Sequence, residues 1–128
     1  RRVLDGMVRQ LQSQGRFDDP LIRARAGQAL AAIEAARLLV YRVIHQRARG
    51  LPPAADANVA RTAVIAADHQ VSDFGMQFLP DSYCGDAFPL HLSHHERAIA
   101  AGIAAGAAEV QLNLVAQDFL KLPREARA

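Results

Sequence analysis

The sequence has 128 residues and a mass of 13.9 kDa, is 51% hydrophobic and 22% charged, and carries a net charge of +2. That composition is too apolar for a disordered chain and sufficient for a core without disulfide or metal staples. No apolar run approaches the ~20 residues of a membrane span, and the lone Cys84 excludes an internal disulfide and fits a reducing cytoplasm. The positive charge is 14 arginines and one lysine, dispersed among acids and with few aromatics, so a nucleic-acid groove is not expected. Alanine occupies 26 positions, and its helix propensity makes an all-α fold the expectation. The chain opens on Arg1-Arg2 without a Met or a signal-peptide pattern, and so reads as a piece of something longer.

In chain order, Val3, Leu4, Met7, Val8 and Leu11 recur at helical spacing and predict a first helix over 1–14, stopped by Gly15. Asp19 and Pro20 then make a cap and first position for a long second helix. Its predicted stripe is Ile22, Ala26, Ala29, Ile33, Ala36, Val40, Val43 and Ile44, ending near Arg49 at Gly50 and Pro52-Pro53. A third helix over about 56–79 turns Val59, Ala63, Ala66, Ala67, Val71, Phe74 and Phe78 inward. Residues 80–86 read as a loop. A helical stretch over about 89–101 follows, then a last helix over about 107–120 with Val110, Leu114, Val115 and Phe119 buried, closed by Leu122-Pro123. Tyr41, Phe74, Phe78 and Phe119 are expected in the core. Short connections between long helices favour one domain over residues 1–128, an antiparallel four-helix bundle.

Four segments are more specific than composition. Arg16-Phe17-Asp18-Asp19-Pro20-Leu21 resembles an RxxFGxPL-like turn, and Ile33-Glu34-Ala35-Ala36-Arg37-Leu38-Leu39-Val40-Tyr41-Arg42 resembles a long-helix pattern. Gly106-Ala107-Ala108-Glu109-Val110-Gln111 stands where GTSEIQ is usual, and Lys121-Leu122-Pro123-Arg124 looks like a common ending. In order and spacing these resemble the C-terminal helical domain of the acyl-CoA dehydrogenase family. The resemblance implies a helical bundle in an oligomer that uses FAD to dehydrogenate an acyl-CoA thioester across Cα–Cβ. It also implies a glutamate as base and a bundle that reaches the FAD of a neighbouring subunit.

Departures from the family pattern limit what this copy is expected to do. Ala105 stands at the usual glutamate position, and a methyl group accepts no proton. Members of the isovaleryl type carry their base on the preceding helix, at a position that would fall upstream of Arg1. On the flavin side, the pyrophosphate arginine aligns with Gln14, the Thr or Gln beside Phe17 with Arg16, and an aromatic-Gln pair with Ala24-Arg25. Of the Gln-x-x-Gly-Gly stretch only Gln77 is kept; Pro80 and Asp81 replace the glycines, and Ala107-Ala108 replace Thr-Ser. Residual cofactor contacts are therefore Gln77, Arg16 and Phe17, with Arg16 and Arg25 also placed to meet a phosphate. FAD is expected in the full-length assembly and not on this domain alone.

The family includes α2β2 enzymes, some acting on steroid side-chain CoA esters, in which one subunit type lacks the base and has damaged flavin contacts. That is the expected role: a non-catalytic, assembly-forming subunit, cytoplasmic, with a homologous subunit as partner. A catalytic homotetramer with its base upstream, and a flavin-free helical interaction module, are the alternatives. His91 and His95, four apart, read as solvated or interface histidines and not as a metal pair, for want of a third ligand. Cys84 reads as a structural or surface thiol, and Arg37 and Arg42 as locally paired charges.

Overall fold

A computed structural model of the chain describes residues 1–52, 55–81, 89–103 and 107–123, with the main chain only at 89–93. Helix α1 is Arg2–Ser13, α2 Pro20–Ala48, α3 Asp56–Phe78, α4 Pro89–Ala101 and α5 Ala108–Leu114, the last running into a π-helical turn, Val115–Phe119. No strand occurs among the described residues, so the fold is all-α.

The helix ends follow local chemistry. The Asp19 carboxylate accepts from the Leu21 N–H at 2.8 Å, and Pro20 takes a first-turn position where no N–H is needed. Both interhelical turns close on a left-handed glycine, Gly15 at φ 66° and Gly50 at φ 69°. After α1, Gly15 N–H donates to Gln12 O and Arg16 N–H to Leu11 O; after α2, Gly50 N–H donates to Arg47 O and Leu51 N–H to Gln46 O. These paired bonds satisfy carbonyls that the helix leaves open, and only glycine enters the turn without a Cβ clash.

Cross-helix pairings fix the directions. Leu4 and Leu30 share one groove with Val8 and Ala26, so α1 and α2 run antiparallel. The α2–α3 pair is lined by Val43 with Ala60 at one end and by Gln28 with Phe74 at the other, again antiparallel. His69 meets Ala98 and Ser72 meets His95, so α4 reverses direction once more. Helix α3 is the hub, packing on every other helix. One stripe, Ala60, Ala67, Val71, Phe74 and Phe78, is buried, and a second, Ile65, Ser72 and Gly75, lies on the side that bonds α4.

The large-residue core sits at one end. Leu4, Met7 and Leu11 of α1 close over Ile22, Ala26 and Ala29 of α2 and over Val71, Phe74, Phe78 and Leu79. Met7 and Leu11 are wholly buried, and the Phe74 and Phe78 rings lie 5.1 Å apart at 55°, a tilted aromatic pair.

Several sequence expectations are corrected. Ala66 is exposed, because α3 buries two stripes and Ala66 falls between them; Ile65 is buried instead. Ile44 and Tyr41 are exposed, since among the described helices only α3 lies beside the second half of α2. The last helix is turned by about one residue: Gln111 is inside with Ala108 and Val115 beside it, while Val110, Leu114 and Phe119 face out. Apolar residues surround that helix, and a single contact with α3 covers one side only. It also stops being α-helical after Leu114, where Leu120 N–H reaches Val115 O, five residues back. Pro80 and Asp81 are helical, not loop, and the rest of that predicted loop, 82–86, lies outside the described residues.

Candidate functional site

Alanine shapes a groove with a polar lining. Where α2 crosses the C-terminal half of α3, Ala31, Ala32 and Ala35 leave a trough of about 600 Å³. A longer side chain at those positions would close it. Gln70, Asp73, Phe74 and Gln77 line the α3 side, and Arg25 and Gln28 the α2 side. Gln70, Asp73 and Gln77 share a face because they are three and four residues apart. Arg25 Nη1 donates to Gln28 Oε1 at 3.1 Å, which leaves further guanidinium donors toward the groove mouth.

The predicted cofactor residues are divided by this geometry. Gln77 and Arg25 come together in the α2–α3 groove. Phe17 lies in a second groove of about 630 Å³ between α1 and α2, with Leu4, Val8 and Leu30 as its apolar wall and Arg9 and Arg23 as cations. Arg16 stands on the turn between α1 and α2, where its Nη1 donates to Gln14 Oε1 at 3.2 Å. Ala105 and Cys84 lie outside the described residues, as does the side chain of His91. Glu109 is exposed in the first turn of α5.

In chemical terms the α2–α3 groove offers amides, one cation and one carboxylate. It contains no nucleophile beside a base, and its Asp73 is exposed and solvated. Such a set can hold a polar ligand by hydrogen bonds but has no evident means of taking a proton from carbon. A pyrophosphate, moreover, calls for donors and net positive charge, and Asp73 offsets Arg25 here. Alignment had singled out Gln77 but missed Gln28, Gln70 and Asp73; the helical spacing of 70, 73 and 77 was the available signal.

The expected local ion pairs are present. Arg37 meets Glu34 at 2.7 Å, and Arg1 reaches the same carboxylate at 2.9 Å. Arg42 crosses to Asp56 of α3 at 3.4 Å, joined there by Gln46 at 3.1 Å. Arg37 also lies over the exposed Tyr41 ring, 5.7 Å from its centroid. Among the described residues no group of three or more His, Cys, Asp or Glu side chains is arranged to hold a metal, and no helix is long and apolar enough to cross a membrane.

An all-α domain with successive antiparallel helices and an alanine-lined groove at Gln77 is the frame on which comparison with known proteins bears. Residues 1–120 match the acyl-CoA dehydrogenase C-terminal domain, and the chain belongs to that family. No curated protein and no solved structure matches it.

Proposed function

We propose that this chain is the C-terminal helical domain of an acyl-CoA dehydrogenase-like flavoprotein subunit whose task is assembly and not proton abstraction. The observation that carries the reading is the composition of the groove around Gln77. The family's flavin contacts map there and to the α1–α2 turn, yet the cation Arg25 is offset by Asp73, and Arg16 is engaged by Gln14. With Ala107 and Ala108 in place of hydroxyl donors, the residues do not fit an FAD pyrophosphate, and no catalytic step is assigned through it.

The assembly half of the reading rests on surface chemistry. Leu38, Tyr41 and Ile44 lie exposed along the second half of α2, Leu51 in the turn after it, and Val110, Leu112, Phe119, Leu120 and Leu122 along the C-terminal segment. Exposed apolar residues in such number mark a surface meant to be covered. The partner is a homologous dehydrogenase subunit, which supplies the base and holds FAD, with acyl-CoA as substrate of the joint cytoplasmic assembly.

Flavin stoichiometry tests this. The full-length protein expressed alone should hold no flavin, and with a homologous subunit should yield half as many flavins as subunits. One flavin for every subunit in a homo-oligomer overturns the reading in favour of a catalytic enzyme with its base elsewhere. Gln77→Ala should leave flavin content unchanged in either preparation, and a clear drop counts against the proposal.

A further inference from the structure

Among the described side chains, helix α4 is held to α3 by several polar groups. His69 Nε2–H donates to the Ala98 carbonyl at 2.9 Å, and the Ser72 hydroxyl is hydrogen-bonded to His95 Nδ1 at 2.6 Å. Arg61 Nη2 donates to the Ala101 carbonyl at 2.9 Å at the far end of the seam. His94 sits among them, hydrogen-bonded to the Asp68 backbone, with its Nε2 buried and without a hydrogen-bond partner among the described residues. The main apolar contribution of the described α4 side chains to the interior is Ala98, 1% exposed. Three histidines thus meet on one seam, and the buried, unpaired ring nitrogen of His94 makes that residue the one most sensitive to an added proton.

The three respond differently to an added proton. His69 is an exposed residue that already donates from Nε2, so a charge on it leaves its bond in place. His95 can reverse its bond, donating to a hydroxyl that also accepts. His94 has neither recourse. Its Nε2 would become a buried, charged N–H with no acceptor, which costs several-fold more than an exposed one.

We propose that the α3–α4 seam is an acid-sensitive latch, closed while His94 is neutral and opened when it takes a proton, releasing α4 and the segment that follows. Release would reach further along the chain because Ala108 N–H donates to Gly102 O at 3.1 Å, tying the start of α5 to the end of α4.

The charges acting on His94 come from α3 and from α4 itself. From α3, Asp68 favours the protonated ring; within α4, Arg97 opposes it. His69 of α3, and His95 and Glu96 of α4, are the remaining titratable neighbours in sequence. Burial outweighs the Asp68 attraction and pushes His94 below its ordinary 6.5. The folded state therefore binds fewer protons than the released one. The latch stabilises fully above pH 6.5 and weakens as pH falls through the lower folded value.

Hydrogen exchange on the full-length protein, corrected for the intrinsic pH dependence of exchange, tests this. Between pH 7.5 and 5.5, peptides covering 94–101 should lose protection while those of α1 and α2 keep theirs. His94→Phe should abolish the pH dependence. Asp68→Asn, which removes the carboxylate favouring the charged ring, should move the loss to lower pH. Constant protection of 94–101 over this range overturns the proposal. So does a wild-type fall in His94→Phe or an unmoved midpoint in Asp68→Asn.

Discussion

The two ends of the α2–α3 pair are built on different terms. At one, where α1 folds over Ile22, Ala26 and Ala29, the chain closes its own core with Leu4, Met7, Leu11, Phe74 and Phe78. At the other, from Ala36 of α2 back to Ala55 of the turn before α3, the buried residues are mostly alanines, and larger apolar side chains such as Leu38, Tyr41 and Ile44 face outward. Helix propensity and length are the same at both ends, since the same two helices run through them. The difference is that α1 covers one end, and no described helix besides this pair covers the outward side chains of the other. Apolar burial is thus concentrated where α1 closes the pair, and exposed apolar surface where it does not.

The sharpest way to break that contrast is to open the closed end. Met7→Ala removes a wholly buried side chain from the α1 contact and should cost about 2–5 kcal/mol, read as a lowered urea midpoint. A loss below about 1 kcal/mol would mean the α1 end is not the stabilising one. A smaller effect of opposite sign is expected on the outer side of α2. Gly27 is exposed within that helix, and a Cβ there would meet nothing within 4 Å. Gly27→Ala should therefore raise stability by about 0.5–1 kcal/mol, the helix-interior penalty of glycine, with an unchanged denaturant slope.

Much of the closed end could be read from residues alone, and little of the open one. Leu4, Met7 and Leu11 at helical spacing, the Asp19-Pro20 start and the Gly15 stop each encode a local geometry and are found as expected, and at the open end the Gly50 stop is encoded in the same way. Periodicity failed where apolar residues outnumber the surface available to bury them. Around α5 an apolar stripe can be drawn on several faces, and spacing cannot say that Gln111 goes inside while Val110 and Phe119 stay out. The same holds for Tyr41 and Ile44, whose burial depends on a neighbour the sequence does not name. Of the candidate site, Gln77 and Arg25 were legible as family positions. That they share a groove with Asp73, while Phe17 lies in another, depends on how α1, α2 and α3 are placed in space. The histidine seam was only partly visible: His91 and His95 stood out as a pair and His94 did not, and Asp68, His69 and Ser72, some 25 residues earlier, join His94 and His95 only through helix packing.

The smallest expected change in folding stability should come from the open end, and its smallness is the point. Tyr41 is 55% exposed and Phe119 53%, so neither ring buries much surface in its own chain. Tyr41 adds an Arg37 contact at 5.7 Å, worth about 0.5–1 kcal/mol at an exposed site. Tyr41→Ser and Phe119→Ser should each alter the unfolding free energy of the dissociated chain by no more than about 1 kcal/mol, because surface substitutions away from packed contacts seldom do more. Sedimentation of the full-length protein should respond quite differently, since aromatic side chains at the centre of an interface commonly contribute about 2 kcal/mol or more to association. A pair of variants that unfold like the parent but sediment as smaller species would separate the two ends by experiment. If instead they assemble normally and unfold early, those rings belong to the core of this chain, and the open end is stabilising after all.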